Sequence, residues 1–309
     1  MKAISVDELG TQPALRTDLP APKPDRNEVL VRVRSSSVNP VDNAIAGGML
    51  KDMVEHEFPI TLGRDYAGVV EQTGADVTGF SVGDEVFGFL VAMNPTVRDG
   101  SWAELIVVPE TTSIAQAPGS VELALAGAAP LAGLTAMSAI DALALTQGDT
   151  VLIVGATGGV GSFAAQLAAA AGATVIAPAF PEDEDYLRAL GVTDIVPRDG
   201  DMTATTREHY PGGVDALLDT VSYTPGAYDA ALKDRARVAS TNNAAGEGSG
   251  RTNVMTIPTT HNLQHLAQLL DAGTLSVRIQ QTYPLDQAAA AMNALTTTHT
   301  RGKLALQVP

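Results

Sequence analysis

A cluster of glycines halfway along the chain has the composition of an anion-binding turn. Four glycines fall within residues 155–161, in the stretch TVLIVGATGGVGSFAAQLA that begins at Thr150. We call residues 155–161 the glycine corner. Glycines between a strand and a helix allow a tight turn, and the N–H groups at the helix start attract a phosphate. A P-loop would also need a lysine after its last glycine, and this stretch has none. The spacing fits the dinucleotide fingerprint, with Ala156, Gly158 and Gly161 at its three positions.

The backbone of the glycine corner is therefore predicted to hold the pyrophosphate of a dinucleotide. The assigned residues are Ala156, Thr157, Gly158, Gly159, Val160 and Gly161. An NAD site usually places a carboxylate about 20 residues further on, at the end of the next strand. Ala179 and its neighbours occupy that place, which favours NADP(H), with NAD(H) as the alternative, and Arg198 is the nearest candidate cation. Residues 182–185 are all acidic. We interpret them as a solvated helix start rather than as charges that repel a 2′-phosphate.

The elements around the glycine corner alternate between strand and helix. Five strands are predicted, at Thr150–Val154, Thr174–Ala177, Asp194–Val196, Asp215–Asp219 and Arg237–Thr241. The predicted helices between them include Asp183–Leu190 and Tyr228–Lys233. This alternation builds a doubly wound parallel sheet with helices on both faces. Asn243 follows the last of these strands, where ligands of such sheets gather, so it joins the predicted cofactor site.

The first 110 residues carry a different, strand-rich pattern. In the segment EVLVRVRSSSV, alternation places Val29, Val31 and Val33 on one face. Further short β-rich runs, separated by glycines and prolines, predict a compact and mostly antiparallel barrel or sandwich. The last residues return to a strand–helix–strand pattern. The sequence thus predicts an α/β protein with one mostly β domain and one doubly wound domain.

Composition narrows the functional classes. A length of 309 residues suggests about two domains. The net charge of −16 disfavours a nucleic-acid partner. The chain has no cysteine, which excludes disulfides, thiolate zinc sites and a cysteine nucleophile. The most apolar window, residues 160–177, is interrupted by glycines, so no membrane span is expected. We expect a soluble cytoplasmic protein that acts on a small molecule.

Several blocks of the chain, in order, carry a family resemblance. They are SSSVNPVDNAIAGG, LGRDYAGVVEQTGADVTGFSVGDEVFGF, PLAGLTAMSAI, VLIVGATGGVGSFAAQLA, GGVDALLDTV and RGKLAL. Together they resemble the zinc-free quinone oxidoreductase branch, the zeta-crystallin-like proteins, of the medium-chain dehydrogenase/reductase superfamily. The resemblance implies a GroES-like catalytic domain over residues 1–112, a Rossmann domain over 113–272 and a return to the catalytic domain over 273–309. It also implies NADPH in the cleft between the domains and a homodimer.

The resemblance also assigns roles to individual residues. Zinc-dependent relatives bind their metal at the positions of Asn39, Arg64 and about Leu131, and none of these side chains is a normal zinc ligand. We therefore expect no metal. Asn39 is the first candidate to hold the negative charge that grows on the substrate oxygen, the alternative being a turn asparagine that caps its own backbone. The resemblance places Thr135 beside the nicotinamide. It places Lys303 near the cofactor, the alternative being an exposed lysine.

Other residues around these motifs are given structural roles. Asp42 is expected to fix the local loop, and Arg64 and Asp65 to pair with each other or with that loop. Relatives often place tyrosines just after the asparagine motif, where this chain has Ala44 and Leu50, which predicts a roomier and more apolar pocket.

The leading hypothesis is a zinc-independent, NADPH-dependent reductase of quinones or α,β-unsaturated carbonyls. The alternatives are an enoyl-thioester reductase and a catalytically silent NADPH-binding protein. The strongly acidic composition disfavours the first alternative, because a CoA or phosphopantetheine group would need basic residues to bind it.

Overall fold

The computed structural model describes residues 1–91 and 98–309. The strands of this described part are β1 (Ala3–Val6), β2 (Ala14–Arg16), β3 (Glu28–Val38), β4 (Ile60–Thr61), β5 (Asp65–Thr73), β6 (Glu85–Phe89), β7 (Leu105–Pro109), β8 (Ala115–Gln116), β9 (Thr150–Val154), β10 (Thr174–Ala179), β11 (Asp194–Pro197), β12 (Val214–Asp219), β13 (Leu232–Ser240), β14 (Arg251–Asn253), β15 (Ile279–Pro284) and β16 (Lys303–Gln307). Its α-helices are α1 (Pro40–Ala46), α2 (Leu123–Ala126), α3 (Pro130–Leu143), α4 (Gly159–Ala170), α5 (Glu184–Arg188), α6 (Met202–His209), α7 (Thr260–Asp271) and α8 (Ala288–Thr297). No helix in these two ranges is both long and apolar enough to span a bilayer.

The chain forms two compact units. Unit 1 contains Met1–Leu131, Ile257–Ala272 and Ile279–Pro309, and unit 2 contains Ala132–Thr256 and Gly273–Arg278. These divisions differ from the predicted domains 1–112, 113–272 and 273–309. The difference has a packing reason, because α2 packs on β3 and β5 and α7 packs on β8, all of them in unit 1.

Unit 1 is built on two mostly antiparallel sheets. One has the strand order β2-β1-β4, and the other has the order β15-β16-β3-β5-β6-β8, with β7 also paired to β3. Val29, Val31 and Val33 of β3 are fully buried, as the alternation predicted. Trp102 is also fully buried, and its indole N–H donates to the carbonyl oxygen of Ser37.

Unit 2 is built on a six-stranded parallel sheet of order β11-β10-β9-β12-β13-β14. Numbered within the unit, this order is 3-2-1-4-5-6, the order of a Rossmann fold. The strand order reverses between β9 and β12, and ligands of such folds bind outside the carboxyl ends of the strands at this point. The glycine corner follows β9 directly, so it lies at the reversal.

The predicted strands of unit 2 are all present, whereas the predicted helices are shorter. The helix expected over Asp183–Leu190 is a 3₁₀ turn followed by α5. The helix expected over Tyr228–Lys233 is wrong, because this segment holds only a 3₁₀ turn at Asp229–Ala231 before β13 begins. Leu232 is buried and pairs with Val214 of β12, and this sheet pairing overrides the local helical preference.

Candidate functional site

The glycine corner turns sharply at its first glycine. Gly155 has a φ of +89°, a region that favours glycine. A Cβ atom added there would lie 2.2 Å from Oγ1 of Thr220, at the end of β12. The corner is therefore fixed against the neighbouring strand at the point where the sheet order reverses.

The two later glycines of the fingerprint differ in what the fold demands of them. A Cβ atom on Gly161 would lie 2.1 Å from the carbonyl oxygen of Gly155, so the close packing of helix on strand requires glycine there. A Cβ atom on Gly158 would meet nothing closer than 3.5 Å, and its φ is −76°. The fold itself does not require glycine at Gly158. The space beside Gly158, which a Cβ atom would partly fill, is open, and we call this space the cradle.

Helix α4 begins at this cradle without a side-chain cap. Gly158 is its N-cap residue and makes no side-chain hydrogen bond, whereas the later amide of Ser162 donates to the carbonyl oxygen of Gly158 at 2.9 Å. The first amides of a 12-residue helix thus lack a side-chain acceptor within the described part of the chain. Such an uncapped start, with its partial positive charge, suits an anionic pyrophosphate.

The other predicted cofactor residues of unit 2 gather at the same edge of the sheet. Ala179 is the last residue of β10, and Arg198 and Asn243 follow the ends of β11 and β13. The guanidinium carbon of Arg198 lies 5.0 Å from the centre of the Phe180 ring, a cation–π contact. Asn243 is exposed and has a φ of +59°. Phe180 was not singled out in the sequence, although its position right after the β10 pattern is the signal that could have found it.

The acidic stretch after β10 is only partly solvated. Glu182, Glu184 and Asp185 are exposed, as predicted, whereas Asp183 is fully buried. The expectation of a wholly solvated stretch is wrong at this one residue. Its place in a 3₁₀ turn, ahead of the exposed helix start, turns it inward.

Unit 1 holds a second group of predicted residues around Asp65, all of them buried. We define the Asp65 cluster as Asn39, Asp42, Asp65 and Lys303. One carboxylate oxygen of Asp65 accepts the backbone N–H of Leu131 at 2.7 Å. The other accepts Nδ2 of Asn39 at 2.8 Å and the Ser37 hydroxyl at 2.6 Å. Two of the three positions compared with zinc ligands, Asn39 and Leu131, thus donate to a single carboxylate. The bond with Asn39 agrees with the predicted pairing of Asp65 with this loop, whereas the contact with Leu131 was not predicted.

Lys303 is buried in the same cluster, with 4% of its surface exposed. The alternative of an exposed lysine is therefore wrong. Its ammonium group donates to Oδ1 of Asn39 and lies 3.5 Å from a carboxylate oxygen of Asp65. Strand β16 pairs with β3, with Leu304 opposite Val38, and this pairing brings the lysine to Asn39.

Asp42 fixes the local loop, as predicted, and carries a perturbed carboxyl group. One oxygen accepts the backbone N–H of Asn39 at 2.8 Å, while the other has no partner among the described residues. Burial raises the pKa of Asp42 to about 7, against the opposing charge of Arg64. Burial lowers the pKa of Arg64, whose guanidinium donates to the carbonyl oxygen of Thr61.

The second predicted catalytic residue, Thr135, lies on α3 in unit 2. Its hydroxyl accepts a hydrogen bond from the Thr256 hydroxyl at 3.1 Å. Asn39 belongs to unit 1 and Thr135 to unit 2, so each is positioned by its own unit.

Two family models match the chain. The model described as alcohol dehydrogenase GroES-like domain matches residues 25–119, and the model described as zinc-binding dehydrogenase matches residues 190–306. Together they cover parts of both units.

Relatives and solved structures agree with these matches. The chain is 30% identical to human NAD(P)H oxidoreductase RTN4IP1, mitochondrial, over 91% of this chain and 82% of that protein. The bovine counterpart is 35% identical, with the match spanning 52% of its length. The chloroplast envelope quinone oxidoreductase homolog of Arabidopsis thaliana is 28% identical over 94% of this chain and 92% of its own. The quinone oxidoreductase structure from Coxiella burnetii superposes with a TM-score of 0.87 at 30% identity, covering 100% of this chain and 99% of that one.

A zinc ion does not fit the residues at the compared positions. Asn39 and Leu131 donate to Asp65, and Arg64 is itself a cation. The Lys303 ammonium already places a positive charge beside Asn39. Within residues 1–91 and 98–309, no three histidines or carboxylates come together as a metal site would require.

Proposed function

The chain belongs to the quinone oxidoreductase branch of the medium-chain dehydrogenase/reductase superfamily, and within it we propose a metal-independent reductase that uses NADPH to reduce quinones or α,β-unsaturated carbonyls. The human relative is named an NAD(P)H oxidoreductase, and the Coxiella structure a quinone oxidoreductase. These names support the reaction class.

The observation that carries the proposal is the open cradle at Gly158. Gly155 and Gly161 are glycines because the fold leaves no room for a Cβ atom, but Gly158 has that room. A glycine that its own fold does not need suits a backbone that a ligand must approach closely. It lies at the start of α4 and at the reversal of the sheet order, where a dinucleotide pyrophosphate binds in this fold.

The residues assigned to the cofactor are those of the glycine corner and the strand ends. The uncapped amides of α4 would hold the pyrophosphate, and Ala179 and Asn243 would line the ends of β10 and β13. We also propose that Thr135 lies beside the nicotinamide and that Lys303 lies near the cofactor. When bound, the reduced nicotinamide supplies a hydride.

Preference for NADPH is proposed from the end of β10. Ala179 leaves no carboxylate there to bind ribose hydroxyls or to repel a 2′-phosphate. The exposed guanidinium of Arg198, held over Phe180, is available to pair with that phosphate. Of the four carboxylates at residues 182–185 that follow this strand end, Asp183 is buried and the other three are exposed.

Asn39 is the proposed donor to the substrate oxygen. Reduction places negative charge on that oxygen. A fixed N–H group that donates to it lowers the activation barrier by roughly 3 kcal/mol. Asp65 takes one hydrogen of Nδ2, which leaves the second hydrogen for this bond. Asp42 holds the backbone of Asn39, and solvent supplies the proton that completes the product.

The acceptor is proposed to be an apolar quinone or enone, since Ala44 and Leu50 replace the tyrosines of many relatives.

We also propose that the protein forms a homodimer and is located in the cytoplasm. The human relative is named mitochondrial and the Arabidopsis relative a chloroplast envelope protein. Localisation of the tagged full chain would test the proposed cellular location, and light scattering of the purified protein would test the proposed homodimer.

The test follows oxidation of NADPH and of NADH by purified protein with a panel of quinones, enones and enoyl-CoAs. We expect turnover with quinones or enones, and faster with NADPH. Turnover confined to enoyl-CoAs would replace the proposal with an enoyl-thioester reductase. Tight NADPH binding without any turnover would replace it with a cofactor-binding protein.

A further inference from the structure

A lysine, an amide and a carboxylate form a chain of contacts inside unit 1. Lys303 donates to Oδ1 of Asn39, and Nδ2 of Asn39 donates to Asp65 at 2.8 Å. All three side chains are almost completely buried. The amide is thus held at both ends by charged groups.

These two contacts fix which way the amide points. Turning the Asn39 amide over would bring its N–H groups against the ammonium and its oxygen against the carboxylate. Both contacts would then be repulsive, because an ammonium has no acceptor and a carboxylate has no donor. The observed arrangement keeps Nδ2 as the donating end.

The ammonium has no donor left for another partner. A lysine ammonium has three N–H groups, and those of Lys303 face Oδ1 of Asn39, the carbonyl oxygen of Val38 at 3.3 Å and Asp65 at 3.5 Å. Burial lowers the pKa of Lys303, and the negative charges of Asp65 and Asp42 oppose that effect. The three acceptors hold the Lys303 ammonium in place beside Oδ1 of Asn39.

Burying such a cation is costly for folding. An ion pair buried in a protein is often no more stabilising than apolar side chains of the same size. Stability is thus a weak reason for a lysine at this place. A functional reason lies in its contact with the amide oxygen.

We propose that Lys303 is a positioning residue that polarises the Asn39 amide. The cation draws electron density towards Oδ1, which makes the second Nδ2 hydrogen a stronger donor to the substrate oxygen. Lys303 then supplies, through an amide, part of the positive charge that a metal supplies in zinc-dependent relatives. This inference rests on the reaction proposed above.

The test compares five single variants, one of which is Asn39→Ala alone, and one double variant. Lys303→Met removes the charge and the hydrogen bonds, Lys303→Gln keeps a donor without the charge, and Lys303→Arg keeps the charge. Lys23→Met removes an exposed lysine of the same unit and is the matched control. Lys303→Met is also made in an Asn39→Ala background.

The expected result is a loss in kcat that depends on Asn39. Lys303→Met and Lys303→Gln should lower kcat by about tenfold to a hundredfold with little change in the KM for NADPH, and Lys303→Arg should recover part of the loss. In the Asn39→Ala background, Lys303→Met should lower kcat no further, because the amide through which it acts is absent. A normal kcat in both neutral variants would overturn the inference. So would an equal loss with and without Asn39.

A second readout does not need activity. Selective ¹⁵N labelling of asparagine gives a side-chain amide signal for Asn39, identified by its absence in Asn39→Ala. We expect Lys303→Gln to shift this signal and Lys23→Met to leave it in place. An unshifted signal in Lys303→Gln contradicts the inference. If the wild-type protein turns over none of the acceptors, the proposed reaction fails, and this signal alone decides the role of Lys303.

Discussion

Replacing Asp42 by asparagine should change how stability depends on pH. Asp42 is fully buried, one carboxylate oxygen accepts the backbone N–H of Asn39, and the other has no partner among the described residues. The charged groups that act on it are Arg64, Asp65 and Lys303. An asparagine at position 42 keeps a side-chain oxygen that can accept the backbone N–H of Asn39, and it cannot ionise.

The direction follows from the two pKa values. Burial raises the pKa of Asp42 from 3.8 to about 7. Between these values the folded protein keeps a proton that the unfolded chain has lost, so the stabilisation is complete below pH 4 and is lost as the pH rises through 7. Each pKa unit between the unfolded and folded states corresponds to about 1.4 kcal/mol, so the difference between 3.8 and about 7 changes the unfolding free energy by about 4 kcal/mol.

The assay is urea unfolding of wild type and Asp42→Asn at several pH values from 4 to 8. The difference between the two proteins removes the contributions of all other titrating groups. Relative to the variant, wild type should lose about 4 kcal/mol of unfolding free energy across this range. Asp52→Asn, which removes an exposed carboxylate of the same unit, should show no such trend. A difference between wild type and Asp42→Asn that stays flat from pH 4 to 8 would refute the reasoning.

The remaining predictions concern the glycine corner, the strand ends and Asn39. Gly158→Ala should weaken NADPH binding in a calorimetric titration while the thermal midpoint stays unchanged, since its methyl group would meet nothing closer than the carbonyl oxygen of Gly155 at 3.5 Å, an ordinary contact distance. Gly161→Ala should instead lower the unfolding free energy by at least 1–3 kcal/mol, roughly the cost of overpacking, because its methyl group would lie 2.1 Å from a backbone oxygen. Arg198→Ala should raise the Kd for NADPH about tenfold and leave the Kd for NADH unchanged, because only NADPH has the 2′-phosphate with which Arg198 would form a charge-assisted hydrogen bond. Equal effects on both cofactors would remove Arg198 from the 2′-phosphate site. Asn39→Ala should lower kcat by roughly a hundredfold with nearly normal cofactor affinity, and an unchanged kcat would remove Asn39 from the mechanism.

The parts of the fold that follow from local pattern were predictable. Strand β9 has the bounds expected from the sequence, and the glycine corner follows it as the fingerprint requires. Valines of β3 are buried where their alternation placed them. Short segments were less predictable, because the helical preference around Tyr228 is weaker than the pairing of Leu232 with the neighbouring strand.

The Asp65 cluster depends on contacts between residues far apart in sequence. Lys303 is 264 residues from Asn39 in the sequence. Lysine is among the residues least often buried, so the residue type alone predicts an exposed side chain. Only the pairing of β16 with β3 brings the two together. The sequence pointed separately to Asn39, to Lys303 and to a pairing of Asp65 with the local loop, but not to the contacts of Lys303 with Asn39 and Asp65.

We propose that this chain moves a hydride from NADPH to its acceptor without a metal. The most direct measurement is the rate of NADPH oxidation with a quinone, before and after exhaustive treatment with a chelator, with the metal content of the same sample determined. We predict an unchanged rate in metal-free protein and no increase on addition of zinc. A rate that falls on chelation and returns with zinc would show instead that the reaction depends on a metal.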